Sequence, residues 1–191
     1  MSALFPVPVS SQPQADSKAP KPYFEVFELP GGITGNQVQA IAQDSFGFMW
    51  FASQNGLHRY DGRQFVTYQY DPLDENSPAD NYIEWLHIDR RGLLWLAHYG
   101  SGLSVFNPLT GAFSRYRHDP TDSTSLSSDT LSVIAEGRDG NIWIGTYRGL
   151  NRFDLQTGKS KRYVPEPDNP RSLSHNKVRA IYHCQQQYSI K

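Results

Sequence analysis

One ten-residue phrase occurs three times in this chain, and nothing else in the sequence limits its possible folds as much. The clearest copy is Asn141-Ile-Trp-Ile-Gly-Thr-Tyr-Arg-Gly-Leu150; the earlier copies are Phe48-Met-Trp-Phe-Ala-Ser-Gln-Asn-Gly-Leu57 and Leu94-Trp-Leu-Ala-His-Tyr-Gly-Ser-Gly-Leu103. Their tryptophans, Trp50, Trp95 and Trp143, are spaced by 45 and 48 residues. A glycine stands three residues before each tryptophan (Gly47, Gly92, Gly140), and a Gly-Leu pair follows each one (Gly56-Leu57, Gly102-Leu103, Gly149-Leu150). Self-similarity at a period of this length implies a repeated supersecondary unit that buries its apolar faces by stacking on its neighbours.

Each repeat reads as four short strands. The first is the apolar run beginning at Val38, Ile83 or Leu131, twelve residues before the tryptophan. A hairpin turn follows at 44–47, 89–92 or 138–140, where Gly permits positive φ and Asp bonds back to its own backbone. The second strand holds the tryptophan, which suits a pleated and buried surface. The third begins at Gly-Leu and reaches an aromatic three residues on: Leu57 and Tyr60, Leu103 and Phe106, Leu150 and Phe153. Such pairs point to opposite faces of a strand, so both faces are apolar, as in a sheet packed on two sides. The fourth strand ends in Tyr68, Tyr116 or Tyr163, and a polar connector opening with Asp71-Pro72, Asp119-Pro120 or Glu166-Pro167 leads onward. Four antiparallel strands and a longer connector, repeated at this length, predict an all-β chain of β-propeller blades.

The residues also carry a family resemblance. The pattern Asp-x-x-Gly-x-x-Trp-x-(Gly/Ala)-(Thr/Ser)-x-x-Gly-Leu-x-x-(Tyr/Phe)-(Asp/Asn) resembles the two-component regulator propeller repeat. It is met from Asp44 to Asp61 and, with one inserted residue, from Asp89 to Asn107. From Gly137 to Asp154 it is met except that Gly137 replaces the first Asp. Ala52 and Ala97 stand where the family usually has glycine. The Gly-His…Trp-Asp pairing and the double glycine of two other propeller families are absent.

The resemblance implies the extracytoplasmic sensor part of a bacterial membrane receptor. The output of such receptors is a histidine kinase, often fused to a response regulator, or a diguanylate cyclase; several sense carbohydrate breakdown products. On that footing the chain is expected to be a non-catalytic, periplasmic ligand-sensing piece of a membrane-anchored parent. Its ligand would be a small molecule or carbohydrate, and no cofactor is expected. The alternatives are a fragment of a propeller lyase or hydrolase, or a truncated product without function.

Taken in order, residues 1–22 hold five of the 13 prolines and read as a disordered leader or linker. The apolar run at 3–9 is short, contains two prolines and lacks a basic segment, so it is not a complete signal peptide. Residues 23–191 are expected to form a partial propeller: a strand at 23–29, blades at about 36–70, 81–117 and 129–164, and the start of a fourth at 176–183. The spacing then asks for Asp, Gly and Trp at 184, 187 and 190 but meets Cys184, Gln187 and Ile190; a truncation, an early stop or a frame change would each give this. About three complete blades fall short of a closed ring, so the chain is expected to expose apolar sheet faces and to self-associate.

Charge is nearly balanced, with 18 Lys+Arg against 19 Asp+Glu and no basic cluster, which argues against a nucleic-acid partner. A single cysteine excludes an internal disulfide. The three tryptophans read as inter-blade core rather than as a sugar-stacking platform, because they recur at one strand position. Asp71, Asp74, Glu75, Asp119 and Asp122 invite a calcium reading, but no EF-hand spacing is present and turn-capping explains them. The six histidines share no metal-ligand spacing, and there is no nucleophile elbow or phosphate-binding loop. No catalytic or metal residue is therefore assigned. Candidate ligand contacts are the residues that vary at the turn after the tryptophan strand: Gln54, Asn55, His98, Tyr99, Tyr147 and Arg148.

Overall fold

A computed structural model describes residues 37–182. The predicted leader at 1–22 and strand at 23–29 lie outside the described residues. Three four-stranded antiparallel sheets follow one another along the chain. The first is β1 (Val38–Gln43), β2 (Met49–Ser53), β3 (Gly56–Tyr60) and β4 (Phe65–Tyr68). The second is β5 (Ile83–Ile88), β6 (Leu94–His98), β7 (Leu103–Asn107) and β8 (Ala112–Tyr116). The third is β9 (Leu131–Glu136), β10 (Ile142–Thr146), β11 (Gly149–Asp154) and β12 (Lys159–Tyr163). Each sheet pairs its strands in chain order, so all three are simple meanders, the form of propeller blades. No helix of the described residues is long and apolar enough to cross a membrane.

Two apolar cores lie between the sheets rather than within them. Trp50, Ala52 and Leu57 of the first sheet meet Ile83, Leu86, Leu94, Leu96 and Phe106 of the second. Trp95, Ala97, Leu103 and Val105 of the second meet Ile134, Ile142, Ile144 and Phe153 of the third. The predicted two-faced third strand is visible here: Leu103 faces one core and Phe106 the other. Trp50 and Trp95 are fully buried, each with its ring edge-on to the aromatic of the next sheet, Phe106 at 5.8 Å and Phe153 at 5.7 Å. Trp143 occupies the same strand position but is only partly buried, because no described sheet covers its face.

The repeat residues have separable duties. Asp44 accepts hydrogen bonds from Phe46 N, Phe48 N and Trp50 Nε1, and Asp89 from Arg91 N, Leu93 N and Trp95 Nε1, so one carboxylate closes the turn and fixes the indole. Gly137 lacks that carboxylate, and Asp139 caps the third turn instead through Asn141 N. The glycine of Gly-Leu combines positive φ with close approach. At Gly102 (φ 82°) and Gly149 (φ 123°) a Cβ would strike the carbonyl oxygen of the blade's last tyrosine, Tyr116 or Tyr163.

The first strands differ from a plain ladder. Each carries an irregularity at the same place, between Val38 and Ala40, between Ile83 and Trp85, and opposite Gly145 and Thr146. The predicted first strand of a fourth blade is not formed among the described residues: residues 176–182 carry no strand. They run along the third sheet instead, with Val178 N donating to Thr146 O at 3.0 Å and the Ser132 hydroxyl donating to Val178 O. A blade's first strand is held by its own second strand, as β1 is by β2, and no such partner follows here among the described residues.

Candidate functional site

The connectors and the turns after the tryptophan strands gather at one end of the three sheets. Each connector is fastened by its own serine, and the first two also by an arginine from the following sheet. Ser77 Oγ accepts from Asp71 N, and Arg115 donates to Ser77 O, Ser77 Oγ and Asp74 O at 2.6–2.7 Å. Ser125 Oγ likewise accepts from Asp119 N, and Arg162 donates to Ser125 O, Ser125 Oγ and Asp122 O. The carboxylates of Asp71, Asp74, Asp119 and Asp122 are turned onto backbone N–H groups two residues ahead. Hydrogen bonds from the Thr121 and Thr124 hydroxyls, and then from the backbone N–H groups of the same residues, hold the Asp119 and Asp122 carboxyls below the ordinary range. Among the described residues no three His, Cys, Asp or Glu side chains converge on a metal position.

Beneath the connectors lies a row of buried polar residues. His98 Nδ1 donates to Tyr82 O at 3.1 Å, and its Nε2 accepts from Ser104 Oγ at 2.9 Å. Ser104 Oγ in turn accepts from Ala79 N in the connector. Burial pushes His98 down to about 4, although the Tyr82 carbonyl and the Asp80 charge oppose this. In the first sheet the pair is exchanged between strands: His58, on β3 where Ser104 stands on β7, lies between Ser53 Oγ and Thr67 Oγ1 at 3.0 Å, and burial lowers it too. In the third sheet Asn151 and Thr146 meet Ser127 of the connector. The Ser104–His98 pair has the spacing of a nucleophile and base, but both are fully buried and Ser104 is already engaged with the connector. In the second and third sheets these groups latch connector to blade; in the first they tie β2, β3 and β4 together.

This corrects one sequence candidate: His98 has no exposed surface and does not face a ligand. The connector folds over its strand end, which the position of His98 beside a turn did not reveal. The other candidates lie at the rim itself. Gln54 and Arg148 are exposed, Tyr99 is 50% exposed, and Asn55 and Tyr147 are half-buried. Asn55 is turned toward its own sheet, where its O and Oδ1 accept from Gln69.

The structure brings together residues that sequence reasoning separated. Tyr82, the last connector residue before β5, lies between two of these turns. Its ring is 5.8 Å from that of Tyr99, which is 5.9 Å from and perpendicular to Tyr147. Lys177, at the end of the third connector, sets its ammonium 3.6 Å from the Tyr147 ring centre. Hydrogen bonding with Lys177 holds the Tyr147 phenol below its usual value, whereas burial and Glu84 raise Tyr82. Asp80, fixed by a 2.6 Å bond from Ser101 Oγ, borders the same row. Tyr82 and Lys177 occupy equivalent places, each one residue before a first strand or its counterpart, and that alignment was the signal available in the sequence. The result is a strip of aromatic side chains edged by an amine, hydroxyls and carboxylates, suited to stacking and hydrogen bonding.

Comparison with known proteins agrees with the repeat. The family described as "Two component regulator propeller" matches residues 32–55 and 125–148, which include the tryptophan strands of the first and third copies. Among solved structures, the chain is similar to the extracellular domain of a B. thetaiotaomicron protein assigned to the hybrid two component systems. The identity is 29% and the TM-score 0.69, covering 78% of this chain and 21% of that one. It is also similar in fold to a catalytically inactive virginiamycin B lyase variant from Staphylococcus aureus, at 17% identity and TM-score 0.54, covering 74% of this chain and 45% of that one. No curated protein matches the chain in sequence. The chain thus spans about a fifth of the first of these structures.

Proposed function

We propose that this chain is part of an extracytoplasmic propeller that senses a ligand for a bacterial signal-transduction receptor, acting by binding and not by catalysis. The observation that carries this reading is the strip Tyr82–Tyr99–Tyr147 with Lys177, in which Tyr99 is exposed and the others are half-buried, placed by the blades on one rim. Loops on rigid scaffolds are where recognition concentrates. Likeness to the extracellular domain of a two-component receptor supports the location outside the cytoplasm. The ligand class that suits aromatic faces edged by hydrogen-bonding groups is a polyhydroxylated ring, hence a carbohydrate. A kinase or cyclase output would reside in the parent.

Calorimetric titration of the chain with neutral and acidic oligosaccharides tests the reading. Binding that falls at least tenfold in Tyr99→Ala and Tyr147→Ala, with unchanged unfolding midpoints, is expected. Absence of binding across both sets, or binding indifferent to both tyrosines, would overturn it.

A further inference from the structure

The two ends of the rim strip carry opposite charge, and only one end has its charges matched. At the Tyr82 end stand two carboxylates, both engaged. Asp80 accepts from Ser101 Oγ at 2.6 Å and from Tyr82 N at 3.1 Å, and Glu84 faces the Tyr82 phenol. At the Tyr147 end stand three cations. Arg148 follows Tyr147 in its turn, and Arg148 and Arg179 are both exposed. Lys177 is half-buried against the ring. The ion pairs among the described residues, Arg90–Glu136 and Arg91–Asp89, lie at turns between a first and a second strand, and neither involves these cations. Positive charge therefore gathers at this end without an anion to meet it.

Lys177 is the cation closest to the strip. Its ammonium lies over the Tyr147 ring, 3.6 Å from the centre. The electron-rich face of the ring attracts it there. It also covers that face, so a sugar that stacks on it must first move the ammonium aside. A neutral sugar offers the displaced ammonium no stronger partner. An anionic sugar does, because the flexible four-carbon stem lets the ammonium swing off the ring and form a charge-assisted hydrogen bond. We infer that Lys177 sets the charge of the ligand: the Tyr147 end of the strip takes a sugar ring bearing an anionic group, a carboxylate or a sulfate, and Lys177 discriminates it from its neutral counterpart. This inference rests on the ligand-sensing reading and narrows it. Arg148 and Arg179 add to the positive field, whereas the Tyr82 end, with its carboxylates already hydrogen-bonded, receives the hydroxyl-bearing remainder of the ligand.

The test is calorimetric titration of the 191-residue chain with two matched pairs. One is trigalacturonate and its methyl ester; the other is a sulfated disaccharide and its desulfated form. In the wild-type chain, the charged member of at least one pair is expected to bind roughly tenfold more tightly than its neutral twin, with a margin that shrinks as salt rises. The pair that shows the margin tells carboxylate from sulfate. In Lys177→Gln the margin should largely disappear, while the neutral twin binds as well or better because the ring is uncovered; the unfolding midpoint should not change. Equal binding of charged and neutral twins by the wild-type chain overturns this inference and leaves the sensing reading standing. So does a margin that survives in Lys177→Gln, or an equal loss of both twins in that variant, the mark of a lysine that only supports the rim. Absence of binding by all four ligands overturns the sensing reading and this inference with it.

Discussion

At the scale of single residues, the repeat is a set of paired constraints, and each pair explains two letters of the pattern. The Gly of Gly-Leu is required because its backbone lies against the carbonyl of the blade's last tyrosine with φ in the left-handed region. Gly102→Ala is therefore expected to destabilise the chain by about 2–3 kcal/mol, read as a lowered urea midpoint. His98 makes a second prediction. Its folded value near 4 lies below the ordinary histidine value of 6.5, so the unfolded chain binds the proton more readily. Stability is then fully present above about pH 6.5 and is lost as pH falls toward 4, by roughly 3 kcal/mol. His98→Gln should flatten the pH dependence of the urea midpoint in that window. An unchanged slope would show that His98 is not the group responsible.

At the scale of elements, the connectors are ordered although they have no regular structure. In the first two, backbone groups are held by an internal serine and by an arginine reaching from the next sheet's last strand. Arg162 donates to four oxygens of residues 122–126, namely Asp122 O, Ser125 O, Ser125 Oγ and Leu126 O. Arg162→Ala should cost about 1–3 kcal/mol and expose 119–125 to limited proteolysis, while Arg162→Lys should restore little because an ammonium lacks the planar fork. Equal resistance of wild type and Arg162→Ala to protease would remove the clasp from the account. The four-strand reading of each repeat and its turns was legible in the sequence, because alternation, Gly and Asp act locally. The clasp was not: Arg115 and Arg162 are separated from their connectors by about forty residues, and an arginine on a strand carries no mark of which loop it reaches.

At the scale of the whole molecule, each sheet packs on its neighbour in the chain, and the middle one alone among the described sheets has another sheet on both faces. Nearest-neighbour stacking of this kind makes local stability follow position. Amide hydrogen exchange should therefore be slowest in β6 and β7, where Leu94–His98 and Leu103–Phe106 are all buried, and faster in β1 and β12. Uniform protection across the three sheets would contradict this. The candidate site belongs to this scale as well. Gln54, Tyr99, Tyr147 and Arg148 were legible as rim residues from their place in the repeat. Tyr82 and Lys177 joined them only when adjacent sheets were brought side by side, and His98 left them when its connector closed over it.

The sequence by itself determined the class of fold and the four-stranded form of each repeat, because these follow from periodicity and turn chemistry within some forty residues. Three things were decided only by tertiary structure: which connector groups arginine holds, which tyrosines share a surface, and which faces remain open. Each depends on how neighbouring sheets are set against one another, and that arrangement is fixed by packing between repeats rather than by any pattern within one.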